Sequence, residues 1–369
     1  MFDGSPKSSR PGAPPALAVG QPGGSSSGGA SGAGGRTTGL ASVCGYCSVG
    51  CNLVAQGGAT AGAPGTAKGP PAPATSLAPD AWYPVNHGLA CSKGFESLAA
   101  LRSDDRATVP LLRDEATGAL APVSWERALR TMVERFKRLQ ATHGPGALAF
   151  LSSGQTVTEE MALLGVLARF GMGILHGDAN TRQCMATSVV AYREAFGFDA
   201  PPYTYRDLEE SEVIVLWGSN LCVAHPVLWE RIRRNRRDAT VVVVDPRATA
   251  TAVQARHHFA VRPKSDLVLL HALANILIEN GWIDQAFVDA HVAGLDELAR
   301  AVRPYTVERA ATAAGLPPDR ILALAELLRP GRAVSLWWTM GVNQSHEGTR
   351  TAQAIINLAL LGEIGRAHV

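Results

Sequence analysis

Three cysteines fall within eight residues, as Cys44-Gly-Tyr-Cys47-Ser-Val-Gly-Cys51, and a fourth follows in the run Cys91-Ser-Lys93-Gly94. Thiolates this close can wrap several corners of an iron–sulfur cubane from one loop, with a distant cysteine closing the last corner. Gly45 and Gly50 suit the tight turns of such a wrap and let backbone N–H groups approach the sulfurs. Four thiolates bind a tetrahedral zinc ion equally well. Zinc ribbons, however, pair two short knuckles, whereas here three ligands are local and one is remote. The spacing therefore favours a 4Fe–4S cluster on Cys44, Cys47, Cys51 and Cys91 over structural zinc. Lys93, just past the last of these, would offset the negative charge of four thiolates and raise the cluster's potential. Its competing reading is a solvated surface lysine. Cys184 and Cys222 stand alone, and a lone cysteine is most often a buried free thiol.

The elements that must position these residues come from the rest of the 369-residue chain, long enough for two domains and part of a third. Hydrophobic residues make up 46% and charged residues 18%, so the chain as a whole is not disordered. With 34 basic against 32 acidic residues, the balance gives no reason to expect a nucleic-acid or anionic-membrane partner. No apolar run reaches the roughly 18 residues of a membrane span. The N-terminus shows neither a secretory core nor a twin-Arg signal, so a cytoplasmic protein is expected. Residues 1–40, rich in Gly, Ser, Ala and Pro, read as a disordered tail, and the low-complexity stretch 57–79 as a surface loop inserted into a cysteine domain spanning 41–107.

From about residue 107 apolar runs alternate with helical periodicity. The runs at 147–154, 213–219, 240–246, 258–263 and 333–341 read as buried parallel strands. Helices are predicted from Ser124, with Ser124 as a plain N-cap, from Thr158, with acidic residues in its first turn, and from Ser265. The alternation makes residues 108–369 an α/β, doubly wound region with ligands at the carboxyl ends of its strands. Gly218, between an apolar strand and a polar turn, would let bare backbone approach a diphosphate. Asp245 at a strand end could accept from a guanine or ribose donor, or equally cap the next turn. Arg231, Arg233, Arg234, Arg236 and Arg237 read as a solvated helix face, and Cys222 and His225 are assigned no chemistry.

The cysteine spacing with Cys91-Ser-Lys93-Gly94, followed by Asn180-Thr-Arg-Gln-Cys184-Met185, Trp217-Gly-Ser-Asn220, Ala224-His-Pro-Val-Leu-Trp229 and Met340-Gly-Val-Asn343-Gln344, resembles the bacterial molybdopterin oxidoreductases that bind bis-molybdopterin guanine dinucleotide. The ordered set spans nearly everything from Cys44 to Arg366. The resemblance implies that Cys184 supplies a thiolate to molybdenum and that Lys93 lies between the cluster and a pterin. It further implies that Gln155, Asn180, Trp217, Gly218, Ser219, Asn220, Asp245, Arg247, Asp266, Met340 and Gln344 contact the pterin and its nucleotides. It also implies a C-terminal barrel-like domain beyond Val369, so this chain is expected to be an N-terminal fragment. Its last residues, Ile364 to Val369, are what a common sequencing-adapter stretch would encode, and the end is expected to be artefactual.

Within that family the sequence is most similar to assimilatory nitrate reductases. Formate dehydrogenases typically place a histidine after the metal-binding residue; here that position is Met185, which has no titratable group. The resemblance thus implies reduction of nitrate to nitrite by oxygen-atom transfer, with electrons from ferredoxin, flavodoxin or a flavoprotein entering through the cluster. Arg182 would attract the anion or form a structural salt bridge. The alternatives are a formate dehydrogenase, or a non-catalytic electron-transfer or scaffold subunit of a respiratory complex.

Overall fold

The computed structural model describes residues 40–56, 76–202 and 204–362. Residues 1–39 of the expected tail, 57–75 of the low-complexity stretch and the chain end 363–369 lie outside the described residues.

The cysteine region is built on an antiparallel sheet of β1 (Ala41–Val43), β2 (Asn52–Gln56) and β3 (Ser76–Pro79), with Val43 opposite Asn52 and Leu53 opposite Pro79. The stretch 57–79, expected to be loop throughout, therefore ends in a strand. Leu77 and Ala78 add an edge beside β2, whose Leu53 and Val54 are buried, and Pro79 sits where an edge tolerates it.

A hairpin of β4 (Leu111–Arg113) and β5 (Leu120–Pro122) leads into the Trp125–His143 helix. Ser124 caps that helix, its Oγ accepting from Arg127 N at 3.2 Å, and Gly144 at φ 87° ends it. β6 (Ala149–Ser152) and β7 (His176–Ala179) then pair in parallel through the Thr158–Val166 helix and the wider turn Leu167–Gly171. Thr158 is the first helical residue; the cap position is Val157, which offers no side-chain acceptor. β7 was not expected from sequence, because His-Gly-Asp-Ala has a poor strand composition and takes its form from pairing with β6.

The remaining strands, β8 (Val213–Trp217), β9 (Thr240–Val244), β10 (His257–Phe259) and β11 (Val334–Trp338), form a parallel sheet in the order β10-β9-β8-β11. The expected α/β alternation is thus split between a two-stranded and a four-stranded sheet. β10 stops at Phe259 because Arg262 N turns away to Ala314 O and Pro263 cannot donate to a ladder. Side chains alternate across the sheet: Val213, Val215 and Trp217 enter a core with the Asp266–Glu279 and Gly348–Leu361 helices. Ile214 and Leu216 enter a second core with the Pro226–Arg233 helix and with Val49, Cys51 and Leu89 of the cysteine region. One face of the sheet therefore holds the cysteine region in place. β9 lies on one side of β8 and β11 on the other, which makes the carboxyl ends of β8 and β11 a topological switch point, where open α/β sheets bind ligands. Among the described residues no helix is long and apolar enough to cross a membrane.

Candidate functional site

Cys44, Cys47, Cys51 and Cys91 line one recess, together with Ala90, Gly94 and, from the α/β region, Pro226 and Val227. Cys44 N donates to Cys51 O at 2.8 Å, closing the loop that Ser48 and Gly50 turn at φ 58° and 87°. Burial, reinforced by Cys47, Cys44 and Cys91, pushes the Cys51 thiol up to about 12. Burial raises Cys44 too, and Cys47 and Cys91 add to it. Left alone Cys44 and Cys51 are neutral thiols, and they ionise together only around a strongly positive occupant. That is the chemistry of a metal-thiolate donor set. Among the described residues, though, no three His, Cys, Asp or Glu side chains close on a single point as one ion requires. Lys93, exposed, spans from this recess to the α/β region, where its Nζ donates to Val223 O at 3.3 Å. Val223 belongs to the short helix Leu221–Ala224 that follows β8.

The carboxyl ends of the two parallel sheets present most of the remaining residues. Gln155 follows β6 and Asn180 follows β7, and they meet: Asn180 Nδ2 donates to Gln155 Oε1 at 3.2 Å, while Asn180 Oδ1 accepts from Gly154 N at 2.8 Å. The Asn180–Gln183 turn then delivers Cys184, half-buried, whose Sγ lies 3.2 Å from Met340 Sδ at the end of β11. The two sheets thus meet at Cys184. Trp217, ending β8, donates its indole N–H to Asp266 Oδ1 at 2.7 Å. Gly218 at φ 55° follows it, and a Cβ there would stand 2.9 Å from Gly341 Cα. Gly341 N donates back to Gly218 O at 3.1 Å. The crossing backbone by itself requires a bare position at Gly218. Ser219 is fully buried and its Oγ has no hydrogen-bond partner among the described residues.

Other expected residues stand apart. Asn220 Oδ1 accepts from Thr251 Oγ1 at 2.9 Å, fastening the turn after β8 to the helix Ala250–Gln254 that follows β9. Asp245 caps its own turn, Oδ1 accepting from Arg247 N at 2.8 Å, which is the alternative the sequence left open; Arg247 is exposed. Gln344 is exposed just after the Met340–Asn343 helix. Arg182 Nε pairs with Asp178 Oδ2 at 2.9 Å, both side chains well exposed. Met185 Sδ accepts from Asn343 Nδ2 at 3.1 Å.

The sequence pattern of the molybdopterin oxidoreductases matches residues 106–368. The chain belongs to that family. It is similar to the assimilatory nitrate reductase of Haloferax mediterranei, 40% identical over 88% of this chain and 43% of that protein. It is also similar to the nitrate reductases of Synechocystis, 32% identical over 88% and 45% of the two chains, and of Shewanella frigidimarina, 34% over 88% and 34%. The chain therefore spans less than half the length of these curated relatives. The fold is similar to that of acetylene hydratase from Pelobacter acetylenicus, with a TM-score of 0.71 and 19% identity, covering 89% of this chain and 44% of that one. Where the two sheets meet, Cys184 brings a soft sulfur donor against Met340, a chemistry that fits a thiolate-binding metal.

Two corrections follow from the same geometry. Arg231 does not lie on a solvated face: it is 5% exposed, because its stretch of helix packs against the cysteine region. The apolar run expected as a strand over 333–341 ends at Trp338, with Gly341 in the Met340–Asn343 helix; sequence reading gave no special place to Gly341 or to Tyr205.

Proposed function

We propose that the protein to which this chain belongs reduces nitrate to nitrite in the cytoplasm. The observation that carries this reading is Cys184 against Met340 at the meeting of the two sheets, in a sequence 32–40% identical to nitrate reductases. When bound, a molybdenum bis-pterin group supplies two-electron oxygen-atom transfer. Cys184 would ligate the metal; Gln155, Asn180, Trp217, Gly218, Ser219, Asn220, Asp245, Arg247, Asp266, Met340 and Gln344 would hold the pterins and nucleotides. Cys44, Cys47, Cys51 and Cys91 would hold a 4Fe–4S cluster. The four cysteines share one recess, and three local ligands with one remote suit a cubane better than the paired knuckles of a zinc ribbon. Lys93 spans the gap between that recess and the turn after β8, in keeping with a place on the electron route. Arg182 can turn toward an anion, since an exposed pair such as that with Asp178 costs little to open. Met185, packed on Asn343, offers no proton acceptor, which disfavours formate as the substrate.

Ferredoxin, flavodoxin or a flavoprotein is the proposed electron donor. The test is the holoprotein with reduced viologen dye and metal analysis. Nitrate-dependent dye oxidation with equimolar molybdenum is expected. Formate oxidation with nitrate untouched overturns the reaction, and iron without molybdenum overturns the enzyme.

A further inference from the structure

Arg231 sits in the Pro226–Arg233 helix, whose first residues Pro226 and Val227 line the cysteine recess. Its Nη1 donates to Val85 O at 2.7 Å and to Pro84 O at 3.0 Å. Its Nε stands 2.8 Å from Glu209 Oε1, an ion-pair contact without an aligned hydrogen bond. The guanidinium also lies over the Tyr205 ring, 5.8 Å from its centre. Tyr205 in turn donates its hydroxyl to Val49 O at 3.3 Å, between Cys47 and Cys51. Burial, and then Cys47 and Cys51, raise the Tyr205 pKa while Arg231 opposes them, so the Tyr205 ring stands between the guanidinium and the cysteine loop.

What Arg231 grips is the strap between the third and fourth cysteines. Beside Val85, Asn86 is fully buried; it accepts from Asn52 N at 3.0 Å and donates to Asn52 O at 3.2 Å and Leu89 O at 2.7 Å. Asn52 adjoins Cys51, and Leu89 leads to Cys91. An apolar side chain could join two packed regions without desolvating a charge, so the buried pair calls for more than adhesion.

We infer that Arg231 and Glu209 act as positioning residues for the group the four cysteines hold. Arg231 fixes the strap that carries Cys51 and Cys91, and the balance of charge in the pair sets the reduction potential of that group. This rests on the reading of the recess as an iron–sulfur site. A cluster gains a negative charge on reduction, so its potential follows nearby charge. Losing the cation leaves Glu209 unbalanced and lowers the potential; losing the anion leaves Arg231 unbalanced and raises it.

The experiment is a potentiometric titration followed by electron paramagnetic resonance on the holoprotein, in wild type, Arg231→Gln, Glu209→Gln and the double variant. Shifts of opposite sign in the single variants, with the double variant between them, are expected. A purely structural role would lower melting temperatures and leave the potentials together, and that result overturns the inference. Should Arg231→Gln fail to fold, an unshifted Glu209→Gln overturns it alone. A wild type without iron and acid-labile sulfide overturns the cluster reading and the inference with it.

Discussion

β8 and β6 are both apolar parallel strands, yet every residue of β8 is buried and none of β6 is. The contrast extends to their helices. The Asp266–Glu279 helix buries Leu269, Leu270, Leu273 and Leu277 completely. The Trp125–His143 helix has an equally clear stripe, Trp125, Leu129, Met132 and Phe136 at spacings of four and three, but Trp125 is 66% exposed and Leu129 50%. Around β6 and β7 the core shrinks to Leu148, Ala168 and Ile174, while Leu151 and Phe170 are 84% and 83% exposed. Local pattern and backbone hydrogen bonds suffice to form strand and helix; burial needs a second surface. The consequence reaches the site, because Trp217 and Met340 project from the packed region and Gln155 and Asn180 from the thin one. Half of the candidate site is held by a dense core, and half by little more than the Asn180–Gln155 hydrogen bond and the turn beside it.

The comparison breaks most visibly at Gly341. A Cβ there would stand 2.6 Å from both Cα and O of Gly218, so the ends of β8 and β11 must part. Gly341→Ala is expected to cost about 4 kcal/mol or more, the exceptional end of the single-substitution range, read as a fall in the urea midpoint. Next in size is Leu273→Ala, which empties a fully buried position and is expected to cost about 3 kcal/mol. Its counterpart Leu151→Ala should stay within about 0.5 kcal/mol. Equal costs for the two leucines would mean that the β6 face is covered in solution and that the two regions do not differ.

Smaller effects sharpen the picture in the thin region, where local chemistry carries a larger share. Ser124→Ala removes the one side-chain cap of the Trp125–His143 helix and is expected to cost about 1 kcal/mol. Gly165→Ala runs the other way. Nothing lies within 4 Å of a Cβ there, so the helix should gain roughly 0.5–1 kcal/mol, seen as a raised melting temperature.

What was legible in the sequence follows the same division. The grouping of Cys44, Cys47 and Cys51 in one recess could be read because their spacing is local, and β8 and β9 because strands buried on both faces are apolar throughout. Ser124 and the Ser265 boundary could be read because capping and periodicity are local as well. β7 was invisible, since its pairing partner and not its composition makes it a strand. Arg231 was hidden in a run of five arginines, yet it is the one that meets Tyr205 and the Pro84–Val85 carbonyls among the described residues; no periodicity tells which distant segment will cover a helix. Gly218 could be flagged as a bare position, but not the backbone of Gly341, just beyond β11, that crosses it. Likewise Cys184 and Met340 were singled out as parts of an ordered set, whereas their contact spans 156 residues and emerges only when the two sheets come together.

The smallest effect concerns acid. His271 lies on the Asp266–Glu279 helix, edge-on to Tyr305 with ring centres 4.7 Å apart, and its Nδ1 is buried without a hydrogen-bond partner among the described residues. Burial holds its pKa below the ordinary histidine value; Glu347 opposes that shift and Arg309 adds to it. As pH falls past about 6.5 the unfolded chain takes up the proton first, so it binds more protons than the folded one and stability declines with acidification. His225, lowered by burial and by Lys93, acts in the same direction. His271→Phe keeps a ring against Tyr305 and removes the titration. Its urea midpoint should therefore fall less than that of wild type between about pH 7 and pH 5. A wild type and variant that decline in parallel would show that His271 is not a proton-linked group. A shallower decline in the variant would mean that the dense packing which makes the four-stranded region strong at neutral pH is also what exposes it to acid, because only a side chain desolvated by its neighbours carries a depressed pKa to lose.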